Sequence, residues 1–540
     1  MSFGRGGTAG SLAALAGVAL LLAACEQGPN LFSPALPEEK AYTGPGDPVP
    51  PPDDPRVKSS AEQRIALGAK VKDEWWTLFH SPSLDKTMRQ AFGDSPTLQQ
   101  ARAQLAQGRE QTVAVYGGLL PQVDLQTQLG RQATNVEISG VNRPAIPVNI
   151  YGVGGTVSYA LDVFGSIKRR VEAQAAQADV DQYQLAAAYL ALSGNVTVQA
   201  ITIAGLRAQI KTVEDILAND QRNLDLVKTA QSGGTATMVD VTTAQTQLAN
   251  DRTLLPPLRQ QLSAARDALT VYVGKTPADW SAPDFDLNAL TLPAAVPVSL
   301  PSQLVRQRPD ILAAEAQLHV AAAQLGVATA NLYPNFTLTG AFAQTATQIN
   351  NFFGPYVGWQ ALASMSAPIF HGGTLEAEQR AAKDALDASW ASYRGTVIQA
   401  FGQVADQLQA LVHDDEAVKT QQAAVASADQ ALKLARLSYA AGNSTFLQLL
   451  DPERQRQQAV LGLVRAQTQR LVDTAELVVA LGSGWWNTPP AAPGPAPDPH
   501  ALTPGSPTSA PALPAIPDKK PWWLFSPEDL TPASAPAPDK

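Results

Sequence analysis

The chain has 540 residues, a formal charge of −9 and only 16% charged residues, against roughly 25% in an ordinary soluble domain. Its length permits several domains, and its acidic balance gives a nucleic-acid partner no electrostatic support.

Arg5 precedes an apolar run from Leu12 to Leu22 that closes on Leu22-Ala23-Ala24-Cys25. The run is shorter than the roughly 20 apolar residues of a membrane helix, so 1–24 reads as an export signal. Leu-Ala-Ala-Cys resembles a bacterial lipobox, which implies cleavage before Cys25 and lipidation there. An ordinary signal peptide with a chance cysteine is the alternative. Glu26 stands where many lipoproteins held at the inner membrane carry aspartate. Cys25 is the only cysteine, so none remains for a disulfide framework, a zinc cluster or thiol catalysis. Residues 25–82 form a lipidated N-terminal segment, and its Pro-, Gly- and Asp-rich part, 26–60, reads as an extended tether.

A first structural unit spans 83–274. Its opening helix runs from about Pro96 to Leu119, with Ser95 as N-cap and proline at the first helical position. Val123, Leu125, Thr127 and Leu129 then alternate along one strand, and Val153, Gly155, Val157, Tyr159 and Leu161 along another. Together they make a β-hairpin, 122–162, with 136–148 as the loop. Each strand approaches the length of about ten residues of a tilted transmembrane β-strand. No proline interrupts Gly165 to about Gln231, and Tyr189, Val196, Ile203, Ile210, Leu217 and Leu224 recur every seven residues. Leu185, Leu192, Leu206 and Val213 interleave with them, completing a coiled-coil stripe. Ser232-Gly233-Gly234 turns the chain, and a return helix, 237–273, must kink at Pro256-Pro257.

After a Pro-rich linker, 275–301, a second unit, 302–482, repeats the plan. Its alternating segments form a hairpin over 335–370. Val397, Val404, Leu411, Val418, Val425 and Leu432 echo the first stripe (397 − 189 = 208), while Pro309 and Pro334 echo Pro96 and Pro121 with another displacement (309 − 96 = 213). The second long helix runs from about Gly373 to Ala441, and its return from about Phe446 to Leu481. The tail, 483–540, is a Pro/Ala tract read as disordered; Lys519 to Phe525 within it is either a short docking segment or a chance apolar patch. No continuous apolar helix is evident after the signal, so a bilayer crossing calls for closed β-structure.

Four strands are too few to close a barrel around a lumen, whereas three chains in a ring supply twelve. The expected fold is an α+β membrane protein with an internal two-fold sequence repeat. In it a homotrimeric twelve-stranded outer-membrane β-barrel, four strands per chain, continues into a periplasmic α-helical coiled-coil barrel. Gly118-Leu-Leu-Pro-Gln122 and Asn331-Leu-Tyr-Pro-Asn335 resemble the helix-to-strand corners of TolC-like outer-membrane factors. So do Leu300-Pro301-Ser302 and Arg308-Pro309-Asp310-Ile311 with Ala314-Glu315. With Trp75-Trp76 and the lipobox, they resemble the NodT-type efflux lipoprotein branch from Cys25 to Leu481. Gln307-Arg308 departs from the two arginines usual there, and the tail beyond Thr488 lies outside the pattern.

The resemblance implies a passive exit duct for small toxic compounds, lipid-anchored at Cys25 in the bacterial outer membrane with its helices in the periplasm. The implied partners are outer-membrane lipid, a periplasmic adaptor (membrane fusion) protein and an inner-membrane transporter of the proton-driven resistance-nodulation-division type. The duct of a protein-secretion system shares the fold, and a coiled-coil lipoprotein without a pore is the reading from another class.

The second hairpin turn, 439–454, is where such a tunnel must stop leakage, and Tyr439, Gly442, Leu447, Asp451 and Arg454 match the family's positions near the periplasmic aperture. Three Asp451 carboxylates around an axis would make a cation-attracting ring; alternatively Asp451 caps a helix starting at Pro452, with Arg454 solvated. Leu447 is either an apolar constriction or hairpin packing. Tyr439 either bonds a neighbouring chain or belongs to the core. Gly234, Thr237, Asp240, Gly442 and Thr445 mark the tips as adaptor contacts, with Met238 and Val239 beside them. The five histidines make no His-Glu-x-x-His pattern, and His371, before Gly372-Gly373, reads as a corner residue. Gly152 to Gly155 lies in a strand without the helix of a dinucleotide fingerprint. Neither enzyme activity, cofactor nor metal is expected.

Overall fold

The structure, a computed structural model, describes residues 27–30, 33–35, 41–51, 63–69, 74–133, 136–138, 141–143, 147–352, 354 and 357–482. Cys25, the export signal and the tail lie outside these residues.

The chain opens with strand β1 (Arg64–Leu67), a 3₁₀ turn (Trp75–Phe79), α1 (Pro82–Asp94) and α2 (Pro96–Tyr116). Ser95 stands at the N-cap of α2, but its side chain makes no capping bond. Strands β2 (Gln122–Gln132), β3 (Val136–Ile138), β4 (Val141–Arg143) and β5 (Val148–Leu161) follow, then α3 (Ser166–Ser232), α4 (Met238–Arg252) and α5 (Leu255–Val273). The interval 136–148 is therefore more than a loop, because β3 and β4 pair within it. Next come β6 (Ala295–Val298), α6 (Pro301–Gln307), α7 (Pro309–Ala330), β7 (Asn335–Ala346) and β8 (Val357–Ser366), and last α8 (Thr374–Ala440) and α9 (Phe446–Ala480).

Helices α3 and α8 have 67 residues each, about 100 Å at 1.5 Å per residue. They start 208 residues apart (374 − 166). Each begins after a glycine with positive φ, 80° at Gly165 and 82° at Gly373, a conformation that disfavours any residue with a Cβ. Fifteen residues separate β2 from β5 (148 − 132 − 1) and ten separate β7 from β8 (357 − 346 − 1). The difference of five equals the change in displacement from 213 to 208 read between the proline echoes and the heptads.

The heptad residues pack as their spacing requires. Val196, Ile203, Val404 and Leu411 are buried in the main core, which fills the middle of the helical stack. Gly205 lets α3 approach α9 closely: a Cβ there would stand 2.4 Å from Thr468 Cγ2. The return from α3 breaks at Thr253-Leu254, just ahead of Pro256-Pro257. Proline removes an amide donor and crowds the preceding turn, so the chain restarts as α5.

Two sequence expectations fail here. The stretch 26–60 is no free tether where it is described. Arg169, 2% exposed, donates to the Gln27 carbonyl at 3.1 Å, the Gly28 carbonyl at 3.3 Å and Asn30 Oδ1 at 2.7 Å. It also pairs with Glu172 at 2.6 Å; a buried guanidinium needs such acceptors, and residues 27–30 supply three of them. Further on, the Tyr42 hydroxyl donates to the Ser299 carbonyl at 2.9 Å. The linker also carries structure: β6 pairs in parallel with β1 beside the buried Trp75, Trp76 and Phe79.

A third expectation needs amending. Helices α3 and α7 each contain a stretch long and apolar enough by composition to cross a bilayer, with 56% and 50% of those stretches buried within the fold. Their apolar character is spent on helix packing.

Candidate functional site

Two regions carry the expected chemistry: a four-stranded sheet and the far ends of the helical hairpins. The sheet is antiparallel in the order β2-β5-β7-β8. Successive side chains of a strand point to opposite faces, so the register assigns every residue a side. Leu125, Gly155, Phe342 and Trp359 form one row, and Val123, Val157, Gly340 and Ala361 the next. Tyr159, Leu338 and Ala363 continue that face, as do Leu161, Phe336 and Met365. It stays open to the surroundings, with Leu125 74% and Trp359 80% exposed.

The opposite face carries Gln122, Asp124, Gln126 and Gln128 on β2, and Thr156 and Ser158 on β5. Thr337, Thr339, Gln360 and Ser364 extend it across β7 and β8. Val148, Ile150 and Leu362 interrupt its polarity. An exposed apolar face against a polar one that carries the Asp124 carboxylate, on strands of 10 to 14 residues, is the pattern of a sheet between lipid and water. Both outer strands, β2 and β8, keep one unpaired edge within the chain, and such edges call for a further strand.

At the other end of the molecule, α8 turns into α9 through Gly442, whose φ is 73°. Thr445 is the N-cap of α9, its amide donating to Gln448 Oε1 at 3.0 Å. The helix therefore starts at Phe446, and Pro452 lies inside it. This removes the capping reading of Asp451. Pro452 is tolerated because the carbonyl it leaves unbonded belongs to exposed Gln448 in the first turn, where water replaces the missing amide.

Asp451 and Arg454 are brought together, 3.6 Å apart with side chains 62% and 54% exposed, and Gln455 donates to Asp451 Oδ2 at 2.7 Å. Leu447 points outward, 64% exposed, so packing inside its own hairpin is not its role. Tyr439 packs edge-to-face on Phe446 at 6.1 Å. It joins a cluster in which Leu432, Leu449 and Leu450 meet Leu224, Val241 and Leu248 of the first hairpin.

The first tip turns at Gly234, with φ of 79°. There Thr237 and Asp240 form a reciprocal cap, the Asp240 amide donating to Thr237 Oγ1 at 3.2 Å and the Thr237 amide to Asp240 Oδ2 at 2.9 Å. That arrangement satisfies two amides at the start of α4. Met238 and Val239 follow it, 65% and 73% exposed.

One group at this end was invisible as a site. Asp220 on α3 is 4% exposed, and Glu453 on α9 accepts from Asn223 Nδ2 at 2.6 Å and Arg436 Nη2 at 3.1 Å. Burial first, then the neighbouring Asp251 and Glu453 carboxylates, push the Asp220 carboxyl up to about 8. A sequence signal for it exists: Asp220 occupies the next heptad step after Leu206 and Val213, where the stripe calls for an apolar residue. Among the described residues no cluster of His, Cys, Asp and Glu is arranged to hold a metal ion.

Known proteins share this arrangement. The family model described as outer membrane efflux protein matches residues 87–275 and 300–483. The chain is 27% identical over 470 residues to outer membrane protein OprJ of Pseudomonas aeruginosa, covering 87% of this chain and 95% of that one. SilC of Salmonella typhimurium, described as a probable outer membrane lipoprotein, is 26% identical across 76% of this chain and 88% of its own length. The solved structure of the outer-membrane channel OprN matches with a TM-score of 0.76 at 24% identity, covering 85% of this chain and 99% of that chain, a likeness in fold. By its matched residues, its long helical hairpins and its amphipathic sheet, the chain belongs to the outer membrane efflux protein family.

Proposed function

We propose that three copies of this chain form the exit duct of a tripartite efflux system, conducting small toxic compounds passively from the periplasm to the exterior. The observation that carries this reading is the sheet with one apolar face, one polar face and two open edges. Two chains would supply eight strands, whose inward side chains fill the interior. Three supply twelve, the smallest ring with room for a lumen. The apolar face then meets lipid and the polar face lines the passage. Each chain, as an internally duplicated unit, contributes two helical hairpins to a tube continuing from the barrel.

Cys25 is the proposed lipid anchor, supported by the Leu22-Ala23-Ala24-Cys25 motif and by the lipoprotein description of SilC. At the tips, Gly234, Thr237, Asp240, Gly442 and Thr445 shape the proposed contact with a periplasmic adaptor, and exposed Met238 and Val239 supply its apolar area. In this reading the inner-membrane transporter supplies the energy. Asp451, with Arg454 beside it and Leu447 and Tyr439 nearby, forms the proposed aperture. Deleting the protein should sensitise cells to small toxic compounds. Unchanged sensitivity together with loss of one secreted protein would replace this reading with a protein-secretion duct.

A further inference from the structure

The helical end of the fold contains a group of carboxyls that the duct itself does not require. Asp220 projects from α3 into the packing of four helices. Its Oδ2 has no hydrogen-bond partner, and its Oδ1 receives only a long bond of 3.4 Å from Gln457 Nε2 of α9. Asp251 faces it from the last turn of α4, held by Gln247 Nε2 at 2.8 Å. Glu453 faces it from α9, and Arg436 of α8 reaches that carboxylate rather than Asp220. Arg222 bonds Asn219 on the exposed side, and Arg456 pairs with Asp429 at the rim. Among the described residues no cation pairs with Asp220 directly.

Two carboxylates this close, with one buried, cannot both stay ionised at low cost. A carboxylic acid, by contrast, donates the hydrogen bond that the bare Oδ2 lacks. Asp251 also sits at a helix C-terminus, where the dipole disfavours an anion. The break at Thr253-Leu254 follows within two residues, so the turn carrying Asp251 can shift. We propose that Asp220 and Asp251 share one proton, and that this proton latches the two arms of the first helical hairpin, α3 and α4, to each other beside the second. With the proton bound, α4 packs on α3 and α3 stays tied to α9 through Asn223, Glu453 and Gln457. With it lost, two facing carboxylates push α4 away from α3 beside the tip.

The direction of the pH response follows. The packed state holds a proton up to about pH 8. The loosened state, with an ordinary aspartate near about 3.9, releases it earlier. Packing at the tips therefore weakens as pH rises between those values. The position of the second helical hairpin that matches Asp220 (220 + 208) is the apolar Ala428.

Infrared difference spectroscopy of the full chain in lipid tests the shared proton. The spectrum should show a protonated carboxyl that titrates with a midpoint of about pH 8, disappears in Asp220→Asn and titrates at lower pH in Asp251→Asn, where Asp220 is still buried but has lost its facing carboxylate. Spin labels at Val239→Cys and Leu447→Cys, one on each tip, should separate as pH rises, and D220N should abolish that response. Asp414, raised to about 7 by burial and by Asp473, is the internal control, and D414N should leave the tip response intact. A spectrum with no protonated carboxyl near neutral pH would overturn the proposal. So would an unchanged tip response in D220N, or its loss in D414N alone. Neither measurement requires that the chain conduct anything.

Discussion

Val157 and Thr156 are neighbours on β5 that the register sends to opposite faces, Val157 beside Val123 and Gly340, Thr156 beside Asp124 and Ala341. Replacing Val157 with Arg places a cation on the face assigned to lipid. At the middle of an outer-membrane strand that costs about 2–4 kcal/mol per chain, or roughly thirtyfold to several hundredfold in the folded-to-unfolded ratio. Replacing Thr156 with Arg places the same side chain on the face assigned to the proposed passage, next to the Asp124 carboxylate, at a cost of about zero. The assay is denaturant unfolding from lipid vesicles, with the yield of assembled protein in the outer membrane as a parallel readout. V157R should lose most of its assembly while T156R keeps it. Equal losses in both variants, or a greater loss in T156R, would refute the assignment of the two faces.

Four further outcomes follow. Gly205→Leu should destabilise the α3–α9 packing by about 1–3 kcal/mol or more, visible as a lower unfolding midpoint, because the new side chain meets Thr468. Phe79→Ala, which empties a fully buried site, should cost about 3–5 kcal/mol in the same measurement. Arg169→Gln should release residues 27–30 from α3, so that protease cuts the N-terminal segment while the helices stay folded. Asp451→Ala should raise single-channel conductance in a planar bilayer and reduce cation preference; identical traces would remove Asp451 from the aperture.

The long elements were legible because their signals are local and repeated. An absence of proline over some 60 residues, with apolar residues at seven-residue steps, permits little besides a long helix. Alternation in β2 and β7 was similarly plain. The parallel pair β1–β6 was not, since four-residue strands about 230 positions apart leave no local pattern. Pro452 misled for a physical reason: proline is favoured at the first helical position, yet a solvent-facing early turn accepts it too. Arg169 and Asp220 were missed because each becomes meaningful only through distant partners, Gln27 to Asn30 for one and Asp251 with Glu453 for the other. In Asp220 the clue was a break in the heptad rather than a motif.

The account rests on four strands from each of three chains closing around a lumen. Electron cryomicroscopy of the full-length protein in lipid nanodiscs tests that directly. The account predicts a threefold particle in which β8 of one chain pairs with β2 of the next to complete twelve strands, with the Leu125–Trp359 row facing lipid. An open sheet, another stoichiometry, or that row turned toward the lumen would contradict it.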